Sequence, residues 1–288
     1  MTTVPTSPPE SLELPPLRYY ARRSPWQVFD LHELWQYREL AWILGLRDIK
    51  VRYRQTLIGV VWAVLQPLTT LAVFGMIFGL LGKAPVSGDT PYALAALSGI
   101  VAWQFVAGGL GEAARSMITN RNLITKVYFP RVLLLVSSRL AGLVDFAIGA
   151  LLLIGCLVWL GHWPSWHILL LPLMAALAIF AALGIGMWLS SLNAIYRDVE
   201  YAVPFVLQTG FFLSPVTYET RALIPAAWQP LYALNPSVCV LEGFRWCVIG
   251  DAVFPTQIFL ISLGVNVVLF AAGAWYFQRM ERHFADRV

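Results

Sequence analysis

A chain of 288 residues that is 58% apolar, only 12% charged and has a mean hydropathy of +0.67 is not an ordinary soluble domain, in which about a quarter of the residues carry charge. The composition indicates a polytopic membrane protein. It excludes nucleic-acid binding as the source of the net charge of +4, because the basic residues divide by membrane side, as set out below.

Residues 1–25 are rich in Pro and Ser, have no apolar stretch of signal-peptide type, and read as a flexible cytosolic arm. Over 26–46, Val28, Leu31, Leu34, Trp35, Ala41 and Trp42 cluster on one helical face, with Asp30, Glu33, Gln36 and Glu39 elsewhere. This predicts an amphipathic helix lying on the membrane surface, or equally one docking a soluble partner. A basic run follows, Arg47, Lys50, Arg52 and Arg54, and then no Asp, Glu, Lys or Arg until Lys83. Such a change marks the point where the chain leaves water for lipid. Pro67 predicts a kink near the middle of the first span. Trp62, Gln66, Thr69 and Val73 share a face whose polar members point to protein or water rather than lipid.

Six membrane spans are expected, at about 57–82, 92–110, 132–160, 168–192, 201–216 and 254–277. Seventeen of the 20 Lys and Arg residues fall on the side of the two termini, the exceptions being Lys83, Arg221 and Arg245. That bias predicts a cytoplasmic location for both ends. The loop 115–130, RSMITNRNLITKVYFP, is long enough for a short helix stopped at Phe129-Pro130 and offers Asn120, Asn122 and Lys126 as a docking surface. Arg139 and Asp145 lie inside the third span but six residues apart, so they do not share a face and are not expected to pair. Arg139 is short of no route back to the cytosolic interface. Asp145 reads either as a buried structural acceptor or as part of a polar pathway.

On the fifth span, Tyr201, Phe205, Gln208 and Phe212 recur at helical spacing, a stripe that suits either aromatic packing or the stacking of sugar rings. The segment 214–251 is too apolar for a free loop and too interrupted by Pro for a span. Half-inserted, re-entrant helices fit it, with a plain interfacial loop as the alternative. Its charges are Glu219, Arg221, Glu242, Arg245 and Asp251. Cys239 and Cys247 either pair there or stand, with Cys156, as isolated thiols, and no metal spacing is present.

Four stretches in order and spacing, RDIKVRYRQTLIGVVWAVLQPL, NRNLITKVYFPRVLL, YRDVEYAVPFVLQTGFFLSPVTY and LNPSVCVLEGFR, resemble the ABC-2 type permeases of bacterial polysaccharide export, from about Leu34 to the C-terminus. The resemblance implies an all-α integral membrane domain over 26–288, with an interface helix at 26–46, a coupling loop at 115–130 and gate helices within 214–251. It implies a homodimer working with two separate P-loop ATPase subunits, which hold ATP and Mg; no cofactor is expected in this chain. It further implies that lipid-linked polysaccharide, O-antigen first and capsular polymer or teichoic acid next, crosses the bacterial inner membrane. On that view Arg47, Lys50, Arg52 and Arg54 receive the anionic lipid head. Trp62, Gln66, Thr69, Tyr201, Phe205, Gln208 and Phe212 line the path, Asn120, Asn122 and Lys126 meet the ATPase, and Glu219, Arg221, Glu242 and Arg245 form the outer gate. The sequence holds no G-x-x-x-x-G-K-[ST], so the chain is not expected to be an enzyme. Two other classes stay open: an ion-coupled secondary transporter, which wants several intramembrane acids, and a membrane glycosyl- or phosphotransferase, for which Asp198 and Glu200 are the nearest acid pair.

Overall fold

The computed structural model describes residues 31–54, 59–81, 86, 91–250 and 254–287. Residues 1–25, expected as a cytosolic arm, Trp26 to Asp30, residues 55–58 and Asp251 lie outside them. The described residues are all-helical: α1 (Leu31–Gln36), α2 (Arg38–Arg54), α3 (Gly59–Leu81), α4 (Tyr92–Thr119), α5 (Arg121–Lys126), α6 (Val132–Trp159), α7 (Leu171–Asn193), α8 (Asp198–Leu213), α9 (Thr220–Leu223), α10 (Gln229–Tyr232), α11 (Ser237–Ile249) and α12 (Thr256–Arg287). Among them five helices are long and apolar enough to cross a membrane: α3, α4, α6, α7 with the 3-10 turn before it, and α12. The helix expected as the fifth span is present as α8, but its 16 residues rise only about 24 Å, against a hydrocarbon core of about 30 Å.

The helix at the centre is α4. Ala, Gly and Ser make up 13 of its 28 residues, and small side chains let helices approach closely where lipid offers no hydrophobic drive. Leu94, Leu97, Ile100 and Val101 pack with Phe244 and Cys247 of α11, Leu153 of α6 and Met174 of α7. Nearer the C-terminal end of α4, Ala113 and Met117 pack with Leu44 of α2, Leu134 of α6, Met187 of α7 and Phe277 of α12. The α7–α12 contact is close because Gly273 faces the Gly184 carbonyl, and Phe180–Phe270 and Trp188–Tyr276 stack on either side of it.

Several boundaries differ from the sequence expectation. The second span does not stop at 110: α4 runs on to Thr119, so the first five residues of the 115–130 loop are helix, and only α5 and the extended 127–130 remain of it. The surface helix is broken at Tyr37 and continues through the basic run to Arg54. Its apolar residues also do not form one outward face. Leu34, Leu40, Ala41 and Leu44 pack into the bundle, whereas Trp35 and Trp42, seven residues apart, are exposed. The pairing of Cys239 with Cys247 is excluded: both are free and buried on α11, and eight residues of one helix separate them by about 12 Å.

α2 runs parallel to α6 and meets it at Gly45, where an added Cβ would stand 2.8 Å from Leu140 Cβ. That approach sets the height of Arg52 and Tyr53 two turns further on. Gly45→Val is therefore expected to lift α2 from α6 and to destabilise the fold by about 1–3 kcal/mol, measured as a lower unfolding midpoint of the detergent-purified chain.

Candidate functional site

Three groups of residues emerge: an ion-pair cluster under α2, an outer clasp on α11, and two exposed helix faces.

In the cluster, Arg52 bridges two acids, with Nη2 2.5 Å from Glu112 Oε1 on α4 and Nη1 2.5 Å from Asp145 Oδ2 on α6. Tyr53 donates its hydroxyl proton to the other oxygen of Asp145. Burial opposes the charge on Arg52, but Glu112 and Asp145 outweigh it and raise its pKa above the ordinary value. Burial and the bond to Asp145 push Tyr53 up to about 12, so it remains a neutral donor. Arg139 is the fourth member. Its side chain is 3% exposed, and its Nη1 lies 3.8 Å from Glu112 Oε2. The guanidinium sits 5.2 Å from the Phe105 ring centroid, in a socket that exists because Gly109 and Gly142 carry no side chain; a Cβ on either would collide with it. Arg139 and Asp145 do not pair with each other, as their spacing requires, and Arg139 does not reach back to the cytosolic interface. Asp145 is an acceptor, as one of its two readings had it, but half-exposed rather than buried: it receives Arg52 and Tyr53 and so holds α2 to α6. Two cations and two anions balance in this cluster, as charges at membrane depth demand.

Glu112 was missed by the sequence reading. It lies just past the expected end of the second span, among small residues, in GGLGEAAR. The available signal was bookkeeping of charge: Arg139 and Asp145 inside a span need partners, and Glu112 is the acid on the neighbouring helix.

The other basic residues of α2 differ from Arg52. Lys50 and Arg54 are exposed. Arg47 pairs with Asp48 at 2.8 Å and donates to the Asn120 side chain at 2.9 Å, which ties α2 to the junction of α4 and α5. On α5, Asn122 and Lys126 are exposed while Ile124 is buried, and after it Val127 and Tyr128 are exposed and Phe129 is buried. Arg131 then grips the end of α12 through the Glu281 carbonyl and carboxylate.

Near the N-terminal end of α4, Glu242 and Arg245 are buried rather than facing an opening. Arg245 lies 3.1 Å from Glu242 and donates to the carbonyls of Ala95, Pro215 and Val216 at 3.2, 2.7 and 3.2 Å. Glu242 accepts from the Thr220 amide at 2.9 Å and its hydroxyl at 2.5 Å. The pair therefore clasps α11 to α4, α9 and the 214–217 strand of chain between α8 and α9. Glu219 and Arg221 lie outside this clasp, with Arg221 reaching the Phe254 carbonyl at 3.5 Å. The turn before α11 is held in the same way: Ser262 of α12 donates to the Asn235 carbonyl at 2.9 Å and accepts the Cys239 amide at 3.0 Å. Asn266 donates to the Pro236 carbonyl at 2.8 Å. The Cys239 amide, one of the orphan donors at the start of α11, is thereby satisfied.

The exposed faces belong to α3 and α8. Trp62 is 60% exposed, Tyr201 81%, Phe205 69% and Phe212 62%, and Gln66, Thr69 and Gln208 are exposed beside them. Val203 is the buried residue of α8. The Thr69 and Thr70 hydroxyls donate to their own helix, at the Leu65 and Gln66 carbonyls. α3 and α8 meet over α4 through Phe74 and Phe211, whose centroids are 5.7 Å apart, and Trp103 of α4 touches Phe211 from below. The stripe read from sequence on each helix is thus exposed among the described residues.

Residues 39–249 match the family described as ABC-2 type transporter. The chain is 26% identical over 259 residues to an O-antigen export system permease protein, RfbA, of Myxococcus xanthus, covering 90% of this chain and 98% of that one. It is 24% identical to a protein of the same name from Klebsiella pneumoniae, over 86% of this chain and 94% of that one. It is also 24% identical to the polysialic acid transport protein KpsM of Escherichia coli, over 83% and 92%.

The clasp carries its own test. Removing one partner of a buried ion pair leaves the other charge uncompensated, so Glu242→Ala is expected to cost about 3–5 kcal/mol and Glu242→Gln, which keeps an acceptor for Thr220, clearly less. Unfolding midpoints of the two purified variants check the order.

Proposed function

The chain belongs to the ABC-2 type transporter family, and on that premise we propose that it is the membrane permease subunit of an ATP-driven exporter of lipid-linked polysaccharide, with O-antigen as the cargo. The observation that carries the reading is coverage: the match extends along 98% of the O-antigen permease of M. xanthus, so the likeness concerns the whole permease and not one shared segment. The similarity to KpsM supports capsular polysaccharide as the second cargo.

In this reading two copies of the chain pair and engage two separate ATPase subunits in the inner membrane, with both termini in the cytoplasm. α8 supplies the sixth crossing despite its length. The exposed faces of α3 and α8 meet the second copy and line the path. What supports this is polarity. Gln66, Thr69 and Gln208 are exposed on helices whose middle segments carry no charge, and an uncovered amide is costly against hydrocarbon but at home against a sugar hydroxyl or water. Tyr201, Phe205 and Phe212 give broad ring faces on which a polymer binds weakly enough to slide. α5, with Asn120, Asn122 and Lys126, is the contact to the ATPase. Its motion reaches α2 through the Arg47–Asn120 bond and α12 through Arg131 and Glu281. Arg47, Lys50, Arg52 and Arg54 attract the anionic lipid head, with Lys50 and Arg54 the more available of the four. Glu219, Arg221 and the helices α9 to α11 close the outer end, with Glu242 and Arg245 holding that cap together.

Two other classes lose support. The intramembrane acids Glu112 and Asp145 are taken up by Arg52, which does not favour an ion path. Asp198 and Glu200 occupy the first turn of α8, where a helix N-terminus favours acids for structural reasons.

A strain lacking the gene is expected to lose its surface polysaccharide and to accumulate lipid-linked polymer on the cytoplasmic side, and the wild-type chain restores export. Replacing Tyr201, Phe205 and Phe212 together by Leu keeps apolar bulk but removes the ring faces. This variant should assemble in the membrane yet restore less than about a tenth of export, since each ring contact is on the order of 0.5–1.5 kcal/mol. Normal surface polysaccharide in the deletion strain contradicts the function, and full export by the triple variant contradicts the path.

A further inference from the structure

The cluster under α2 contains an asymmetry. Glu112 sits between two arginines and uses its oxygens unequally. Oε1 is 2.5 Å from Arg52, whereas Oε2 is buried, accepts no hydrogen bond among the described residues, and lies 3.8 Å from Arg139. On the other side, Nε, Nη1 and Nη2 of Arg139 are all buried and donate no hydrogen bond among the described residues. A buried guanidinium with its donors unspent is costly, and a static structure gains nothing by keeping it one ångström short of a carboxylate.

The two arginines stand on different kinds of support. Arg139 is on α6, fixed between Gly109, Gly142 and Phe105 at the centre of the bundle. Arg52 is two residues from the end of α2, a peripheral helix that packs mainly on α6 and leads directly into the exposed α3. If α2 moves away, Glu112 and Asp145 lose Arg52 together. Tyr53 departs with it, since it is on the same turn.

We propose that Arg139 is a positioning residue held in reserve for Glu112: when α2 withdraws with Arg52, the Glu112 carboxylate rotates onto the Arg139 guanidinium, so that no uncompensated charge remains inside the bundle. The exchange makes the separation of α2 from α4 reversible at low cost. Arg52 then returns to two acids that have stayed ionised. Asp145 needs no such reserve, because it is half-exposed and water reaches it once α2 has left. The occasion for the withdrawal of α2, the export cycle, rests on the function proposed above; the redundancy of the two arginines does not.

The redundancy is read on the full chain in lipid nanodiscs with Arg52→Gln, Arg139→Met, the double variant, and each of these combined with Glu112→Gln. The infrared C=O stretch of a protonated carboxylic acid, assigned to Glu112 by its loss in Glu112→Gln, reports the charge state. Arg52→Gln and Arg139→Met should each lack the band, because the other arginine holds the carboxylate, and the double variant should show it. The fall in unfolding midpoint of the double variant should exceed the sum of the two single falls, and Glu112→Gln should reverse most of that excess. A Glu112 band in Arg52→Gln alone, or strictly additive midpoints, overturns the proposal. Should Arg139→Met fail to fold, Arg139→Gln, which removes the charge and keeps a polar side chain, takes its place in the same comparison, and the Arg52→Gln spectrum is read as before. None of these readouts needs transport, so their failure is distinct from a failure of the export reading, which the surface-polysaccharide assay registers.

Discussion

A charge placed at membrane depth must find its opposite, and in this chain that requirement is what attaches α2 to the bundle. Arg52 is held by acids on two different helices, Glu112 of α4 and Asp145 of α6, with Tyr53 adding a third tie. Apolar packing cannot supply the same specificity, since a leucine on α2 would be as content against lipid as against α6. The ion pairs fix the rotation and height of α2, and Gly45 against Leu140 lets it come close enough for the pairs to form. α3 is described from Gly59, five residues beyond Arg54. Whatever moves α2 therefore moves the root of the first crossing helix.

The rest of the molecule divides accordingly. α4, α6, α7, α11 and α12 interlock through small residues and large buried ones, and the Glu242–Arg245 clasp closes the outer end of that unit. α3 and α8 stand against its flank with their outer faces uncovered, joined to it chiefly through Leu71, Phe74 and Phe211 near the ring of Trp103. A transporter needs one part that stays and one that gives. The tightly packed unit suits the first role and the two lightly attached helices the second. The residues that flank α5 tie it to two helices, Asn120 to α2 and Arg131 to α12.

Much of this was legible in the sequence. Long uncharged stretches foretold five of the six expected crossing helices, the sixth being the shorter α8, and the 62-66-69-73 and 201-205-208-212 spacings foretold two faces that are exposed among the described residues. Helix ends were less legible where no charge or Pro marked them. α4 runs past Glu112 because Arg52 of another helix receives that carboxylate, and past Arg115 because its side chain bonds back to the Gly111 carbonyl of the same helix. Pairing was the least legible of all. Arg52 reads as one more member of a basic run beside lipid, while the acids that claim it are 60 and 93 residues away in the chain. Glu242 and Arg245 likewise read as gate charges because their isolation in an apolar segment is visible in the sequence, whereas the carbonyls of Ala95, Pro215 and Val216 that receive Arg245 are not.

The account stands most directly on the claim that the uncovered faces of α3 and α8 meet a second copy of the chain and part from it during the cycle. A single cysteine at Phe205, in a chain whose three native cysteines are replaced by serine, tests this in native membranes containing the assembled transporter. Oxidation should link the two copies in the resting state, and trapping the ATPase subunits with a non-hydrolysable nucleotide should lower the yield severalfold. A Phe205→Cys chain that never links to its copy, yet reacts freely with a lipid-phase thiol reagent in both states, would show that the face is turned to lipid and would contradict the account.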